Sequence, residues 1–305
     1  MAHVRELKRR IKSIRNIAQV TRAMQMVATT KMRRAQEQAL ATRPYAAKSW
    51  QILTHLAAQH IDIALLHPLL ARRATINRTG IVLITSDKGL CGAYNTNVLR
   101  TAIHFIGGLG RPVRLITIGR RGREFMLRHG GQVVADFSEM LPPRPSSLDV
   151  APIARAVIDD FLSGRYDEVY LIYTEFINTL SQRPIVRSLL PIQPIELEER
   201  SVMAKYLSPD VTRITGEYIY EPDPGSILGK MLPSFTELQV YQAVLEALAG
   251  EHSARMVAMR SATENAKSLL DHLTLSYNRA RQEAITKEML DIAGGSEAMR
   301  ASVAV

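Results

Sequence analysis

Cysteine and long apolar runs are nearly absent from this sequence. Cys91 is the only cysteine among 305 residues, so the chain cannot form an internal disulfide, and nothing in its cysteine content requires an oxidising compartment. No apolar run approaches the roughly 20 residues that span a bilayer, so no transmembrane segment is predicted. The first residues lack the apolar core of a signal peptide. Their basic stretch is interpreted as mature structure, with an organelle-targeting segment as the alternative.

Acidic residues are scarce in one place, the first fifty residues. This stretch holds twelve of the 39 Lys and Arg but only two of the 29 Asp and Glu, and the remaining basic and acidic residues balance at 27 each. The whole net charge of +10 therefore lies on the N-terminal element. This predicts an acidic partner for that element alone, either nucleic acid or an acidic protein surface.

Glycine is also missing from residues 4–59, where Pro44 is the only proline. The segment is predicted to be one helix about 80 Å long at about 1.5 Å per residue, bent but not ended at Pro44. Its apolar and small residues follow the 3-4 spacing of a coiled-coil seam. The seam residues are Val4, Leu7, Ile11, Ile14, Ala18, Thr21, Ala28, Met32, Ala35 and Ala39.

A second long helix is predicted from about Ser226 to Ala293. Pro233 interrupts its start, Ser234 with Glu237 matches a capping box, and Gly294 with Gly295 is expected to end it. A second thin seam follows, at Met256, Met259, Thr263, Ala266, Leu270, Leu273, Tyr277, Ala280 and Ala284. Two matched seams predict that the terminal helices pair with each other.

Between the helices, short β-rich runs alternate with helical ones. Strands are predicted at GIVLITS, PVRLITIG, GQVVADF, DEVYLIYTEF and PIVRSLLPI, and helices at 95–106, 120–128 and 149–162. This alternation indicates a mostly parallel sheet covered by helices, with the last strand as an antiparallel edge.

The predicted fold is therefore α/β, a long antiparallel coiled coil of the N- and C-terminal helices with an inserted Rossmann-like α/β domain. Its predicted segments are a coiled-coil helix (1–60), the α/β domain (75–195), a connecting segment (196–224), a second coiled-coil helix (225–295) and a tail (296–305).

The motifs that could carry chemistry are weak. The loop SDKGLCGAYN (86–95) matches neither glycine-rich phosphate fingerprint, so it is interpreted as a structural turn and no cofactor is predicted. Cys91 has no evident base, and the histidines lack metal-ligand spacing, so no catalytic or metal role is expected. The cluster of Arg120, Arg121 and Arg123 lacks interleaved aromatics, which favours a solvated face or an acidic protein neighbour over nucleic acid.

Four stretches closely resemble the γ subunits of F-type ATP synthases. They are IKSIRNIAQVTRAMQMVATTKMRRAQ (11–36), SDKGLCGAYN (86–95), YIYEPDP (218–224) and EHSARMVAMRSATENAKSLLDHLTLSYNRARQEAITKEMLDIAGG (251–295). The resemblance implies a central stalk inside a ring of α and β subunits, with ATP chemistry on β and no active site on this chain. It also implies a complex at the cytoplasmic face of a bacterial plasma membrane, with a mitochondrial enzyme as the alternative, since a chloroplast-type cysteine insert is absent.

The resemblance also assigns residues. Arg281 and Gln282 match positions that contact β, with Arg279, Thr286 and Glu288 nearby, and Met24 is expected opposite that region. Tyr218, Tyr220 and Glu221 match the foot surface that meets the ε subunit and the membrane c-ring. The basic helix, including Arg9, Arg10, Lys31, Arg33 and Arg34, is hypothesised to face acidic loops of β.

Two other functions compete with this interpretation. One is a coiled-coil scaffold with a basic arm for nucleic acid, which strongly salt-dependent DNA binding would favour. The other is a small-molecule enzyme built on the α/β domain, which a bound cofactor would favour. Neither explains why both terminal helices carry matched seams.

Overall fold

The computed structural model describes residues 2–59, 67–192 and 224–303. These residues form two compact units. The first combines residues 1–27 with 256–305, and the second holds residues 28–255. The division falls inside the two long helices, so each of them contributes one part to each unit. The predicted five-part segmentation follows the order of the elements and stays a prediction.

The N-terminal rod consists of two helices. Helix α1 spans Ala2–Ala41 and helix α2 spans Arg43–Gln59. Pro44 lies in the first turn of α2, where its missing N–H costs no helical hydrogen bond. The Thr42 hydroxyl donates to the Ala39 carbonyl at 2.9 Å and so closes the end of α1. The expectation that Pro44 bends one continuous helix was therefore wrong, because the chain stops and restarts helical hydrogen bonding at Thr42.

The C-terminal helix is longer than predicted. It spans Pro224–Val303 with Pro233 inside it, and is named α6 here. The Ser234 hydroxyl donates to the Lys230 carbonyl at 3.2 Å, so Ser234 lies within the helix and does not cap it. Gly294 and Gly295 do not end the helix, since neither adopts the left-handed conformation of a helix stop. Three fully buried side chains around Pro233 explain why the helix continues there: Leu228, Leu232 and Phe235.

The inserted domain contains five strands and three helices. In chain order the elements are β1 (Thr79–Ile84), α3 (Tyr94–Leu109), β2 (Val113–Ile118), α4 (Arg120–Arg128), β3 (Val133–Asp136), α5 (Ser147–Leu162), β4 (Glu168–Phe176) and β5 (Gln182–Leu190). The strand order is β3-β2-β1-β4-β5. The first four strands are parallel, and β5 pairs antiparallel with β4. This confirms the Rossmann-like sheet with an antiparallel edge.

The two faces of the sheet pack against different helices. Ile81 and Leu83 of β1 join a smaller cluster with α3 and α4. Val82 and Ile84, which alternate with them, join a larger cluster with α2, α5 and the first part of α6. This alternation follows from the two-residue period of a strand. Because β1 is buried along its whole length, its sequence is a continuous apolar run.

The terminal helices pair antiparallel. Within residues 28–255, Trp50 stacks on Phe235 with ring centroids 6.0 Å apart, and Gln242 donates to the Thr42 hydroxyl at 3.2 Å. The charge of Lys31 acts on Glu251 and His252. Positions further along α6 therefore pair with positions nearer the N-terminus of the chain, which is antiparallel packing. Within the other unit, the Thr21 and Thr263 hydroxyls are 2.7 Å apart.

Candidate interaction surface

The unit formed by residues 1–27 and 256–305 is held together along the predicted seam. Each of its α1 seam positions from Val4 to Thr21 and its α6 seam positions from Met256 to Ala284 is buried or half-buried, while most residues between them are exposed. Thr21 and Thr263 share a hydrogen bond across the seam, and the Thr263 hydroxyl also lies 2.8 Å from the Met259 carbonyl. A polar pair in an otherwise apolar seam fixes the register of the two helices.

Many apolar side chains of the same unit are exposed. On α6, Leu275 is 68% exposed and Ile292 is 72% exposed. The others are Ile17, Val20, Met26, Val27, Val257, Leu269, Ile285, Met289 and Leu290. At about 100° per residue, those on α6 are distributed around the helix, so they are candidate contacts for another molecule on several sides. The sequence analysis did not single out these residues, although they could have been found as apolar positions that fall off the seam.

The five predicted contact residues of α6 lie on two faces of the helix. At about 100° per residue, Arg279, Gln282 and Thr286 share the outer face, and Arg281 with Glu288 lies on the side next to the seam. All five are exposed. Arg279 pairs with Glu283 at 3.2 Å, and the Thr286 hydroxyl donates to the Gln282 carbonyl at 3.0 Å. These residues therefore present polar groups around the helix and form no single pocket.

Met24 does not lie opposite these residues, so that part of the prediction was wrong. The Thr21–Thr263 pair sets the register, and Met24 is half-buried. Arg281 follows Thr263 by eighteen positions, which is about 27 Å along a helix at about 1.5 Å per residue. In antiparallel pairing those positions run toward the start of α1, away from Met24. Similarity to the family identified Met24 as a candidate residue, but it did not give the register in which α1 pairs with α6.

The predicted foot residues Tyr218, Tyr220 and Glu221 lie outside the described residues. Their assignment stays a prediction.

The SDKGLCGAYN loop uses its polar groups within the fold. The Asp87 carboxylate accepts from the Arg120 backbone N–H at 2.9 Å, and the Asn95 side chain accepts from the Ser86 N–H at 3.1 Å. Arg255 donates to the carbonyls of Lys88 and Gly89. Gly92 adopts φ +58, the left-handed conformation that favours glycine. These contacts agree with the interpretation of the loop as a structural turn.

Cys91 lies inside this loop and is buried. Burial raises the pKa of its thiol, although a hydrogen bond to Ser86 acts in the opposite direction. A raised pKa keeps the thiol protonated and unreactive. This environment suits a structural cysteine.

The cluster of Arg120, Arg121 and Arg123 meets acidic groups of its own chain. Arg123 pairs with Asp136 at 2.8 Å, and Arg120 pairs with Glu139 at 3.3 Å. Hydrogen bonding to Asp136 raises the pKa of Arg123. The sequence left open a solvated face or an acidic protein neighbour for this cluster, and Asp136 and Glu139 of the same domain supply acidic neighbours.

The basic charge of α1 is mostly displayed to solvent. Arg9, Arg10, Arg33 and Arg34 are exposed, and Arg10 pairs with Glu6 at 2.6 Å. An exposed pair of this kind contributes little to stability. These charges therefore remain available to a partner.

The described part of the chain offers neither a membrane-spanning helix nor a metal-binding group. No helix there is long and apolar enough to cross a membrane. Among the same residues, no group of three or more His, Cys, Asp or Glu is placed to hold a metal ion.

Fold and surface together define a class of protein: a Rossmann-like domain inserted between chain ends that pair as an antiparallel coiled coil, with exposed polar and apolar side chains along the coil. Comparison with known proteins gives the family. The sequence profile described as ATP synthase matches residues 3–299. The ATP synthase gamma chain of Dehalococcoides mccartyi (strain CBDB1) is 46% identical over 299 residues, covering 98% of this chain and 100% of the relative.

A second relative agrees. The ATP synthase gamma chain of Chloroflexus aurantiacus (strain ATCC 29366 / DSM 635 / J-10-fl) is 46% identical over 303 residues, covering 98% of this chain and 99% of that one. The chain belongs to the ATP synthase gamma chain family. The family resemblance found in the sequence is thereby confirmed.

Solved structures share the fold. A chain of the Euglena gracilis mitochondrial ATP synthase (OSCP/F1/c-ring, rotational state 3) has a TM-score of 0.62 at 20% identity, covering 100% of this chain and 97% of that one. A chain of the Tetrahymena thermophila mitochondrial ATP synthase central stalk and c-ring has a TM-score of 0.58 at 24% identity, covering 80% and 99%. At these identities the likeness concerns the fold.

Proposed function

We propose that this chain is the central rotating shaft of an F-type ATP synthase, which couples proton translocation to ATP synthesis and hydrolysis. Membership of the gamma chain family is the observation that carries the proposal. The coiled coil with its exposed apolar side chains fits this role, because a shaft must be held together along one narrow seam and contact the surrounding subunits on its other sides.

In this proposal the chain is a non-catalytic subunit, and ATP chemistry takes place on the β subunits. The chain would act by contact: its surface differs from side to side, so each orientation presents different groups to each β subunit. A surface that binds one conformation of a partner better than another shifts that partner's equilibrium by the difference in binding free energy. Turning the shaft would therefore move three partners through their conformations in sequence.

The polar residues of α6 would carry the orientation-dependent contacts with α and β. Arg281 and Glu288, next to the seam, and Arg279, Gln282 and Thr286, on the outer face, would meet a surrounding partner from two directions. Met24 would act at a different level of the shaft, because the Thr21–Thr263 pair places it level with residue 260, about 32 Å along the axis from Arg281. The exposed apolar residues would supply contacts that change little on rotation, because apolar contact is non-directional.

The remaining partners are also proposals. Tyr218, Tyr220 and Glu221 would contact the ε subunit and the c-ring, and the complex would lie at the cytoplasmic face of a bacterial plasma membrane. The basic residues of α1, including Arg9, Arg10, Arg33 and Arg34, would face acidic loops of β. Such attraction between exposed charges is weak and screened by salt, which suits a surface that must slide.

Reconstitution tests the proposal. The matching α and β subunits are co-expressed with and without this chain, and the products are compared by gel filtration and steady-state ATPase turnover. We expect the chain to elute in the large complex and to raise turnover. Exclusion from the complex, with turnover unchanged, would contradict the proposal and leave nucleic-acid binding to be tested by salt-dependent DNA affinity.

Two matched ion pairs on α6 sharpen the test. Arg279–Glu283 and Arg260–Glu264 are both exposed four-residue pairs, at 3.2 Å and 3.1 Å. We expect Arg279→Ala to lower ATPase turnover of the complex several-fold and Arg260→Ala to change it less than twofold, since only Arg279 belongs to the proposed contact set. Equal effects of the two substitutions would remove the residue assignment while leaving the shaft role in place.

A further inference from the structure

A small basic pocket lies within the unit of residues 28–255. Its volume is about 70 Å³. This exceeds the ~30 Å³ that one water molecule occupies in the liquid and is far below the roughly 300–1,000 Å³ of pockets for drug-sized ligands. The pocket can therefore hold a small ion and is too small for a nucleoside.

Three elements build the pocket. Lys31, Arg34 and Gln38 come from one face of α1, Arg144 and Pro145 from the segment before α5, and His252 from α6. The segment before α5 is fixed in place, because the Pro145 carbonyl accepts hydrogen bonds from both Gln38 and Tyr241, each at 3.1 Å. The cavity thus has a rigid wall and does not depend on a loose loop.

The charges around the pocket have one sign. Lys31, Arg34 and Arg144 line it, and no acidic residue is among its lining residues. Within the described part of the chain, these three cations form no ion pair. Glu251, the sequence neighbour of His252, is engaged by Arg255 at 2.6 Å. Three cations that line one cavity attract an anion.

His252 supplies a neutral donor at the buried end. Arg255 approaches its Nδ1 at 3.2 Å, and arginine can only donate, so Nδ1 accepts and the proton is on Nε2. Burial, together with the charges of Arg255 and Lys31, lowers the pKa of His252 to about 4. The imidazole is therefore uncharged at neutral pH and offers one N–H.

We propose that this pocket binds a free tetrahedral oxyanion of the phosphate or sulfate class, held by Lys31, Arg34 and Arg144 and by the N–H of His252. The bound anion joins α1, the segment before α5 and α6. The inference does not rest on the shaft role, because all its residues belong to one compact unit, and its test uses the purified full chain.

The test follows the ring of His252 by NMR in the full chain labelled with ¹⁵N-histidine, with the signal assigned by His252→Gln. Inorganic phosphate and sulfate are titrated in a phosphate-free buffer at constant ionic strength. We expect a saturable shift of the His252 signal with both anions and none with chloride. Arg34→Gln and Arg144→Gln should each weaken binding at least about tenfold, since each removes a charge-assisted contact.

Arg33→Gln is the matched control. It removes the same charge from the same turn of α1 without lining the pocket, and its affinity for phosphate should stay within twofold of the original chain. An unchanged His252 spectrum before titration shows that each variant is folded. Absence of saturation, or equal loss in Arg33→Gln and Arg34→Gln, would overturn the proposal. So would an equal response to acetate, which would point to a carboxylate and hence to an acidic protein segment.

Discussion

Helix α6 has two different environments along its length. From residue 228 to 249 it is buried on several sides at once, with Leu228, Leu232, Phe235, Val240 and Leu245 fully buried. From residue 256 onward, burial is confined to one seam, and large apolar side chains face outward. The first part is a core helix whose apolar side chains are buried by other residues of the same chain. The second part is buried along one thin seam and leaves large apolar side chains exposed on several sides.

The largest expected loss of stability comes from shortening a buried side chain in the first part of α6. Phe235→Ala removes a buried ring that stacks on Trp50 and should lower the free energy of unfolding by about 3–5 kcal/mol. Met289→Ala, on the exposed face, should change it by less than about 0.5 kcal/mol. Urea unfolding of the purified full chain measures both. Similar losses from the two substitutions would erase the distinction between the two parts of α6.

A buried histidine just after the first part of α6 makes the stability of the fold sensitive to acid. His252 has a pKa of about 4 in the fold, chiefly because it is buried, against about 6.5 when unfolded. The unfolded chain therefore binds the proton first. The stability that His252 contributes is complete above pH 6.5 and is lost as pH falls toward 4, a change of about 3 kcal/mol.

The unfolding free energy measured from pH 7 to pH 4 tests this, with His252→Gln beside the original chain. The difference between the two isolates His252 from Glu251, whose pKa is raised by burial and whose contribution changes in the opposite direction. His272→Gln, which removes an exposed imidazole of the coil, is the matched control. If His252→Gln keeps the full pH dependence, the buried imidazole is not its source.

The threonine pair tests how the coil keeps its register. Thr263→Val leaves the Thr21 hydroxyl without its partner across the seam and should lower stability by about 1 kcal/mol. The double variant Thr21→Val, Thr263→Val removes both hydroxyls and should be less destabilised than the sum of the single variants. A double-mutant cycle by urea unfolding measures the coupling. Strict additivity would mean that the 2.7 Å contact does not stabilise the register.

The smallest effects are expected from helix glycines. A Cβ at Gly250 would meet Thr174 and Tyr94 at 3.5 Å, an ordinary contact, whereas a Cβ at Gly294 would meet nothing within 4 Å. Gly250→Ala should therefore raise the global unfolding free energy by about 0.5–1 kcal/mol through helix propensity. Gly294→Ala should raise helix content by circular dichroism and leave global unfolding unchanged. The reverse pattern would mean that the end of α6 unfolds together with the core.

Much of this architecture follows from the sequence because the spacing of apolar residues and the position of turn residues are local signals. The seam positions on both helices could be predicted, since a coiled coil selects small and apolar residues every three or four positions. The sheet could be predicted because strands buried on both faces are continuous apolar runs bounded by turns. The antiparallel edge followed from two strands without a helix between them.

The errors have a common cause, which is tertiary context. Ser234 and Glu237 fit a capping box, yet the burial of Leu232 and Phe235 on either side keeps the helix continuous there. Gly294 and Gly295 resemble a stop, but nothing near them forces the left-handed turn that a stop requires. Met24 was placed opposite Arg281 because similarity gives residue identity, and only a contact such as Thr21–Thr263 gives register.

The basic pocket escaped the sequence analysis for the same reason. Lys31 and Arg34 share one face of α1, which the spacing shows, but Arg144 and His252 are more than one hundred positions away from them. No local pattern brings these four residues together. The hydrogen bonds of Pro145 to Gln38 and Tyr241 do so in the folded chain.

Hydrogen exchange of the chain alone and in complex with its α and β subunits is the most direct test of the central claim, that residues 256–303 form a coil built to be covered. In the isolated chain we expect slow amide exchange in residues 228–249 and fast exchange in residues 270–290, since a thin two-helix seam gives little protection. In the complex we expect residues 270–290 to become protected. Equal protection of residues 270–290 with and without the partners would contradict the claim.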